Sequence, residues 1–361
     1  MGGPAKAGRL DQPTRYQVRK FALFLLVIAI AAAAGAAVLY ERTHALYRGY
    51  SGEEQFVDIP TGAGSRTIGD RLVAAGVIRD RLTYRAALSL SGQGRHLKAG
   101  EYRFDQSATP LEVIAKIARG DVYVVAITFR EGLTIAEMAN VFESHGLGTA
   151  ATFKQAALDG SLVREFDPGA RNLEGYLFPE TYSVPRRTDA TKLVRMMVDR
   201  FDHVLTPELR AAAAARGLNV RQFVTLASIV EKETGQPGER PLVAAVYENR
   251  LKIGMGLQCD PTVIYALQLA GRYNGNLRRD DLHFDSPYNT YRYPGLPPGP
   301  IASPGKASLE AAARPADVDY IYFVSRNDGT HEFATTLAEH NRNVQKFQVQ
   351  YFHDKHKAGS S

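Results

Sequence analysis

The chain has 361 residues, 45% of them hydrophobic and 23% charged, which excludes a disordered or low-complexity protein and is enough for two domains rather than one. Its formal net charge of +6 is spread along the sequence rather than gathered into one basic stretch, so nucleic acid is not an expected partner, and only mild attraction to an anionic envelope polymer follows. A single cysteine, Cys259, excludes an internal disulfide.

Residues 21–40 (FALFLLVIAIAAAAGAAVLY) carry no charged side chain. A helix of that length, at about 1.5 Å per residue, spans roughly 30 Å, the thickness of a bilayer core. Lys6, Arg9, Arg15, Arg19 and Lys20 precede the run, whereas Arg42 and Arg48 follow it. This asymmetry predicts a cytoplasmic stub over residues 1–20, one transmembrane helix over 21–40 and export of everything beyond. A cleaved signal peptide is the other reading, with small-residue sites at Ala34 to Ala37, although the apolar run exceeds the ~7–15 residues of a signal core.

Residues 41–55 are polar and aperiodic and read as a tether. Over residues 56–122 the pattern predicts a small strand-and-helix module: FVDIP as a strand, TGAGS as a turn, TIGDRLVAAGVI as a helix stopping at Gly76, and a second helix over about 81–90. LKAGEYRF then gives a turn and strand, and TPLEVIAKIARG a helix with Thr109 as N-cap, Pro110 at its first position and Gly120 past its end. VAITFREGLTIAEMANVFESHGL echoes the first copy of this unit, with Gly132 matching Gly62 and a Thr-Ile helix start in both. The first copy resembles a LysM-like module, a fold associated with N-acetylated glycans; a purely structural spacer is the competing reading.

Residues 123–355 are expected to form a larger domain, followed by a tail over 356–361. In RQFVTLASIVEKET, apolar residues at 223, 226, 227 and 230 mark one helix face, and Asp260-Pro261 opens the next helix. YIYFV and HEFATT flank Asn327-Asp328-Gly329 as a β-hairpin. SPYNTYRYPGLPPGPIASPG, rich in proline and glycine, suits a rigid cleft wall. The whole is expected to be an α+β protein.

One carboxylate stands out. LEGYLFPETY sets Glu174 among Leu173, Tyr176, Leu177 and Phe178, where lost hydration raises a carboxyl from about 4.3 toward neutrality and makes it a usable general acid. Glycosidic cleavage needs such an acid and something to capture an oxocarbenium-like carbon. A single carboxyl suffices when the substrate supplies the nucleophile, as when the 6-hydroxyl of N-acetylmuramic acid attacks its own anomeric carbon.

LEGYLFPETY, ASIVEKET, ENRLKIGMGLQCDPTVIYAL, SPYNTYRYPGLPPGPIASPG and HEFATTLAEHN, in this order, resemble the successive motifs of the endolytic murein transglycosylase (YceG-like) family over roughly residues 55–350. The resemblance implies a catalytic Glu174 and a cleft that includes Glu231, Gln258, Asp260, Tyr288, Asn289 and Thr290. It implies cleavage of peptidoglycan glycan strands between N-acetylmuramic acid and N-acetylglucosamine with a 1,6-anhydro end, no cofactor, and a place at the plasma membrane beside peptidoglycan synthases such as penicillin-binding proteins. Gly256, Cys259 and Ser303 depart from the family pattern and touch loop rigidity only.

Plainer readings stand beside these. Asp260 before Pro261 is favoured as an N-cap, whereas Gln258 has no such local explanation and is the better candidate for an acetamido group. Cys259 reads as a small buried filler, and Glu180, His331 and His340 as structural, with no HExxH or comparable metal cluster. Tyr176, Phe178 and Tyr182 are sugar platforms or core, and the sequence leaves both open. A lysozyme-like hydrolase would need a second carboxylate, for which Glu231 is the candidate; a non-catalytic glycan-binding scaffold would need none.

Overall fold

The computed structural model describes residues 15–351 and 353, with side chains from residue 19 onward. The expected stub over 1–20 therefore lies mostly outside the described residues, as does the tail over 356–361. The chain divides into two compact units, one up to Val124 and one from Val125.

The first unit opens with α1 (Arg15–His44), longer at both ends than the expected span. Its stretch Arg19–His44 is apolar and long enough to cross a membrane, and its most apolar part is not buried inside the protein. The expected tether is not free. Thr43 is fully buried, Tyr47 and Ala108 exchange two backbone hydrogen bonds (3.1 and 3.3 Å), and Gly49 N–H donates to Gly76 O at 2.8 Å.

Beyond it β1 (Gln55–Ile59), α2 (Ser65–Ala74), α3 (Arg81–Ser91) and β2 (Gly100–Phe104) follow in order, with β1 and β2 antiparallel and Val57 opposite Tyr102. α4 (Pro110–Arg119) has the expected ends: Thr109 and Glu112 form a reciprocal capping box and Gly120 takes φ 81°. Val57, Leu72, Ile78, Tyr102, Ile114 and Ile117 form the core.

The second unit begins with β3 (Val125–Thr128), α5 (Ile135–Ser144) and α6 (Ala150–Ala157). Gly62 and Gly132 adopt φ 78° and 73°, and Gly76 and Gly146 φ 69° and 67°, so the echo is a repeated backbone path. The helix start differs from expectation: α2 begins at Ser65 with Gly64 as N-cap, which puts Thr67 inside the helix, whereas α5 is capped by Thr134 with Glu137.

β4 (Thr181–Val184) pairs antiparallel with β3, Ile127 opposite Tyr182. Then come α7 (Ala190–Val204), α8 (Pro207–Ala215), α9 (Val220–Glu233), α10 (Arg240–Lys252), α11 (Asp260–Leu269) and α12 (Lys306–Ala313). β5 (Tyr322–Ser325) and β6 (His331–Ala334) make the expected hairpin, and α13 (Leu337–Val344) follows. α9 was expected to bury one face, yet every residue from Phe223 to Val230 is buried because α8, α10, α11 and α12 pack around it. Helices and short ladders are mixed along the chain, giving a mixed α/β protein.

Candidate active site

Glu174 sits in a tight turn. Asn172 Oδ1 accepts from Glu174 N–H at 3.1 Å, Tyr176 N–H donates to Leu173 O at 2.9 Å, and Gly175 between them takes φ 84°. A Cβ at Gly175 would overlap the Pro300 ring, so glycine is required here by conformation and by space. Leu173, Tyr176, Leu177 and Phe178 are buried around the turn, as the sequence implied.

Two donors hold the carboxylate. The N-cap at Thr134 frees Ile135 N–H, an orphan donor of the first turn of α5, and it reaches Glu174 Oε1 at 3.0 Å. The Tyr265 hydroxyl, from α11, reaches Oε2 at 3.1 Å. Burial outweighs both donors, and with a smaller push from Glu137 raises Glu174 to about 7. At neutral pH the group is therefore poised between acid and base.

Glu174 lines two cavities. One, of about 380 Å³, is bounded by Arg171, Asn172, Tyr176, Arg221, Tyr288 and the Pro298-Gly299-Pro300 loop. The other, of about 390 Å³, is bounded by Thr134, Glu137, Asn140, Tyr265, Gln268 and Tyr273. The acid thus stands between two spaces of similar size. A larger cavity of about 800 Å³ in the first unit holds no comparable group, its Asp70 being paired with Arg81 at 2.6 Å.

The proline-rich segment forms a wall as expected, and hydrogen bonds fix it as well as proline: Gly132 N–H donates to Ser303 O, Ser303 N–H to Leu133 O, and Ile301 N–H to Ser228 Oγ. Tyr288 of this segment lines the first cavity and meets Tyr265 edge-on, with ring centroids 5.0 Å apart.

The remaining sequence candidates fall elsewhere. Tyr176 borders the cavity but offers no open face. It is 2% exposed, its hydroxyl donates to Asp167, and Asp167 is also gripped by Arg221 at 2.6 and 3.0 Å. Phe178 is buried with the Arg200 guanidinium over its ring, and Tyr182 is buried with its hydroxyl on Phe178 O. Both are core rather than sugar platforms.

Glu231 does not border either cavity at Glu174; it pairs with Arg240 at 3.3 Å and accepts from Gly305 N–H at 2.9 Å. Asn289 and Thr290 are buried and spent inside their loop. Asn289 Nδ2 donates to Leu282 O and Phe284 O, while Thr290 Oγ1 accepts from Cys259 N–H and meets Thr262 Oγ1. Gln258 is exposed, with φ 50°, and borders neither cavity.

Asp260 is not the N-cap. Cys259 occupies that position without a side-chain bond, and Asp260 accepts from the Tyr291 hydroxyl at 2.6 Å. Cys259 is buried, but its thiol donates to Glu233, so it belongs to a polar cluster. Glu180 pairs with Arg200, His331 with Glu239, and His340 stacks on Tyr322. Among the described residues no group of three His, Cys, Asp or Glu side chains could hold a metal ion. Sequence reasoning missed Tyr265, whose only signal was a polar-tipped aromatic in an apolar helix. It also missed Ile135, which acts through its backbone and leaves no side-chain signal.

Fold and site together define a cleft protein organised around one enclosed acid. Residues 57–346 match the YceG-like family, and the chain belongs to it. A protein of Bacillus subtilis named endolytic murein transglycosylase is 32% identical over 81% of this chain and 84% of its own length. A Streptococcus pneumoniae protein of the same name is 31% identical over 80% of this chain, which spans 57% of that longer relative. The crystal structure of a yceG-like protein from Listeria monocytogenes superposes with a TM-score of 0.55 at 30% identity, covering 81% of this chain and 99% of that one.

Proposed function

We propose that the protein is an endolytic murein transglycosylase, a lyase that cuts peptidoglycan glycan strands, with Glu174 as its catalytic proton carrier. The observation that carries this reading is the placement of one enclosed carboxyl, raised to about 7, at the junction of two cavities. A strand can then lie with sugars on both sides of the acid.

In the reaction, protonated Glu174 gives its proton to the oxygen linking N-acetylmuramic acid to N-acetylglucosamine, and the carbon–oxygen bond breaks. The 6-hydroxyl of the muramic residue then attacks its own anomeric carbon and passes its proton to the Glu174 carboxylate. A 1,6-anhydro end forms, no water is consumed, and the acid is regenerated. Ile135 N–H and the Tyr265 hydroxyl stabilise the carboxylate during its brief ionised life. Tyr288 forms a wall of the cleft; Glu231, Asn289 and Thr290 hold its scaffold.

The β1–α2–α3–β2 order of the first unit supports a LysM-like reading of residues 56–122 as a glycan-holding module. The apolar α1 supports a single-pass anchor in the plasma membrane, with the basic flank on the cytoplasmic side and the catalytic unit outside. Such an anchor confines cutting to nascent strands near their synthases, where each cut ends elongation.

The test is Glu174→Gln on purified glycan strands. The amide keeps shape and volume but carries no transferable proton, so cleavage falls by about 10² or more, with circular dichroism unchanged. A variant that folds and still cuts at the wild-type rate removes the acid from the mechanism; a wild type that binds strands without cutting them leaves only a scaffold.

A further inference from the structure

Charge is divided unequally between the two cavities that meet at Glu174. On one side lie two guanidiniums. Arg221 is neutralised by Asp167, whereas Arg171 is exposed and, among the described residues, no acidic side chain lies within ion-pair distance of it. The other side has no basic side chain and carries Glu137, with Asn140 and Gln268 as neutral polar groups. Arg171 enters the cavity from the turn that carries the acid, where Asn172 Oδ1 accepts from Glu174 N–H at 3.1 Å. Burial and then the nearby Glu174 raise the Tyr288 hydroxyl above its ordinary value, and Arg171 and Arg221 offset part of that rise, so both guanidiniums act on the space in front of that ring.

The two sugars of the strand differ in one respect. N-acetylmuramic acid carries a lactyl ether on O3, and through it a carboxylate: the lactyl group itself in a bare strand, or the carboxylates of the attached peptide in a substituted one. A planar guanidinium pairs with a carboxylate through two parallel hydrogen bonds, and an acidic wall disfavours the same group.

We propose that Arg171 reads this lactyl-borne carboxylate and thereby fixes the polarity of the bound strand, with the muramic residue of the broken bond on the Arg171 side of Glu174 and N-acetylglucosamine on the Glu137, Asn140 and Gln268 side. The assignment rests on the transglycosylase reading and adds a specificity determinant to it. In this orientation the muramic carbon to be captured lies next to Glu174 and the acidic arm points away from Glu137. In the reverse orientation the arm meets Glu137 and Arg171 stays empty.

The experiment uses the full chain and the variants Arg171→Gln and Arg171→Lys. Cleavage is followed on bare strands and on peptide-bearing strands at low and high salt. Binding of a neutral chitin oligomer is measured on the Glu174→Gln protein with and without Arg171→Gln.

Arg171→Gln is expected to raise KM by about tenfold on a carboxylate-bearing strand, with a smaller change in kcat. The lysine variant recovers part of the loss, the gap narrows as salt rises, and chitin-oligomer binding stays the same. An effect on bare strands assigns the lactyl carboxylate, and an effect confined to peptide-bearing strands assigns the peptide. An unchanged KM on both strands, or an equal loss of chitin binding, overturns the assignment while leaving the transglycosylase reading in place. A wild type that cuts neither strand overturns both.

Discussion

The Tyr265 hydroxyl donates to Glu174 Oε2 across 3.1 Å, joining α11 to a turn 91 residues earlier in the chain. With Ile135 N–H on the other oxygen, each oxygen of the carboxylate has one fixed partner. Donors favour the ionised form and burial favours the neutral one. Their balance near 7 lets one group give and then take a proton.

Because the starting form is protonated, the wild-type rate is full below about pH 7 and falls about tenfold per unit above it. Tyr265→Phe removes a donor that holds the Glu174 value down, so the alkaline limb moves to higher pH, with some loss of kcat from a looser carboxyl. A kcat–pH profile checks this, and a limb that stays put or moves down contradicts the role given to Tyr265.

Glu137 shares a cavity with Glu174, and its charge raises the acid. It is also the expected place for a hydrolase's second carboxylate now that Glu231 is committed to Arg240 and Gly305. Its Oε2, however, accepts from Thr134 N–H and Oγ1 at 2.8 and 3.0 Å. Glu137→Gln preserves the cap, so most of the rate is retained and the alkaline limb shifts slightly to lower pH. Loss of cleavage by about 10³ or more would instead mark Glu137 as a reacting group.

Linkage gives a stability test of the same acid. Folded Glu174 titrates near 7 and the unfolded group near 4.5, so on raising the pH the unfolded chain ionises first. The wild type loses stability between those values and no more above them, on the order of 3 kcal/mol in all. In Glu174→Gln the amide oxygen accepts from Ile135 N–H, the amide NH2 donates to the Tyr265 hydroxyl oxygen once that hydroxyl turns, and nothing is left to ionise. Urea denaturation is expected to show the variant equal to the wild type near about pH 4 and more stable near about pH 8. An advantage that does not change with pH contradicts a buried neutral acid.

Thr290→Val tests a motif residue that the structure makes architectural. Valine removes the acceptor of the buried Cys259 N–H, which costs about 1–3 kcal/mol. Stability falls while KM for glycan strands changes little. A raised KM at unchanged stability would return Thr290 to the substrate.

Much of this protein was legible in local patterns. Thr109, Pro110 and Gly120 announced both ends of α4, and Gly62 and Gly132 announced a repeated turn, because caps and left-handed glycines act within a few residues. Glu174 stood out because its apolar neighbours in sequence are also its neighbours in space. Its donors did not, since Tyr265 arrives from α11 and Ile135 contributes only a backbone group. Asn289 and Thr290 looked like ligand-binding residues, and Asp260 like a helix cap, because a polar side chain in a motif gives no sign of whether it faces a substrate, its own helix or a loop. Here the loop absorbs all three.

The proposed reaction needs one enclosed acid alone, because the substrate supplies the nucleophile. Its most direct test is mass spectrometry of the products formed from glycan strands in ¹⁸O-water. The expected products are 1,6-anhydro-muramic ends without ¹⁸O. Reducing muramic ends that carry the label would show that water attacks, and would contradict the proposed reaction.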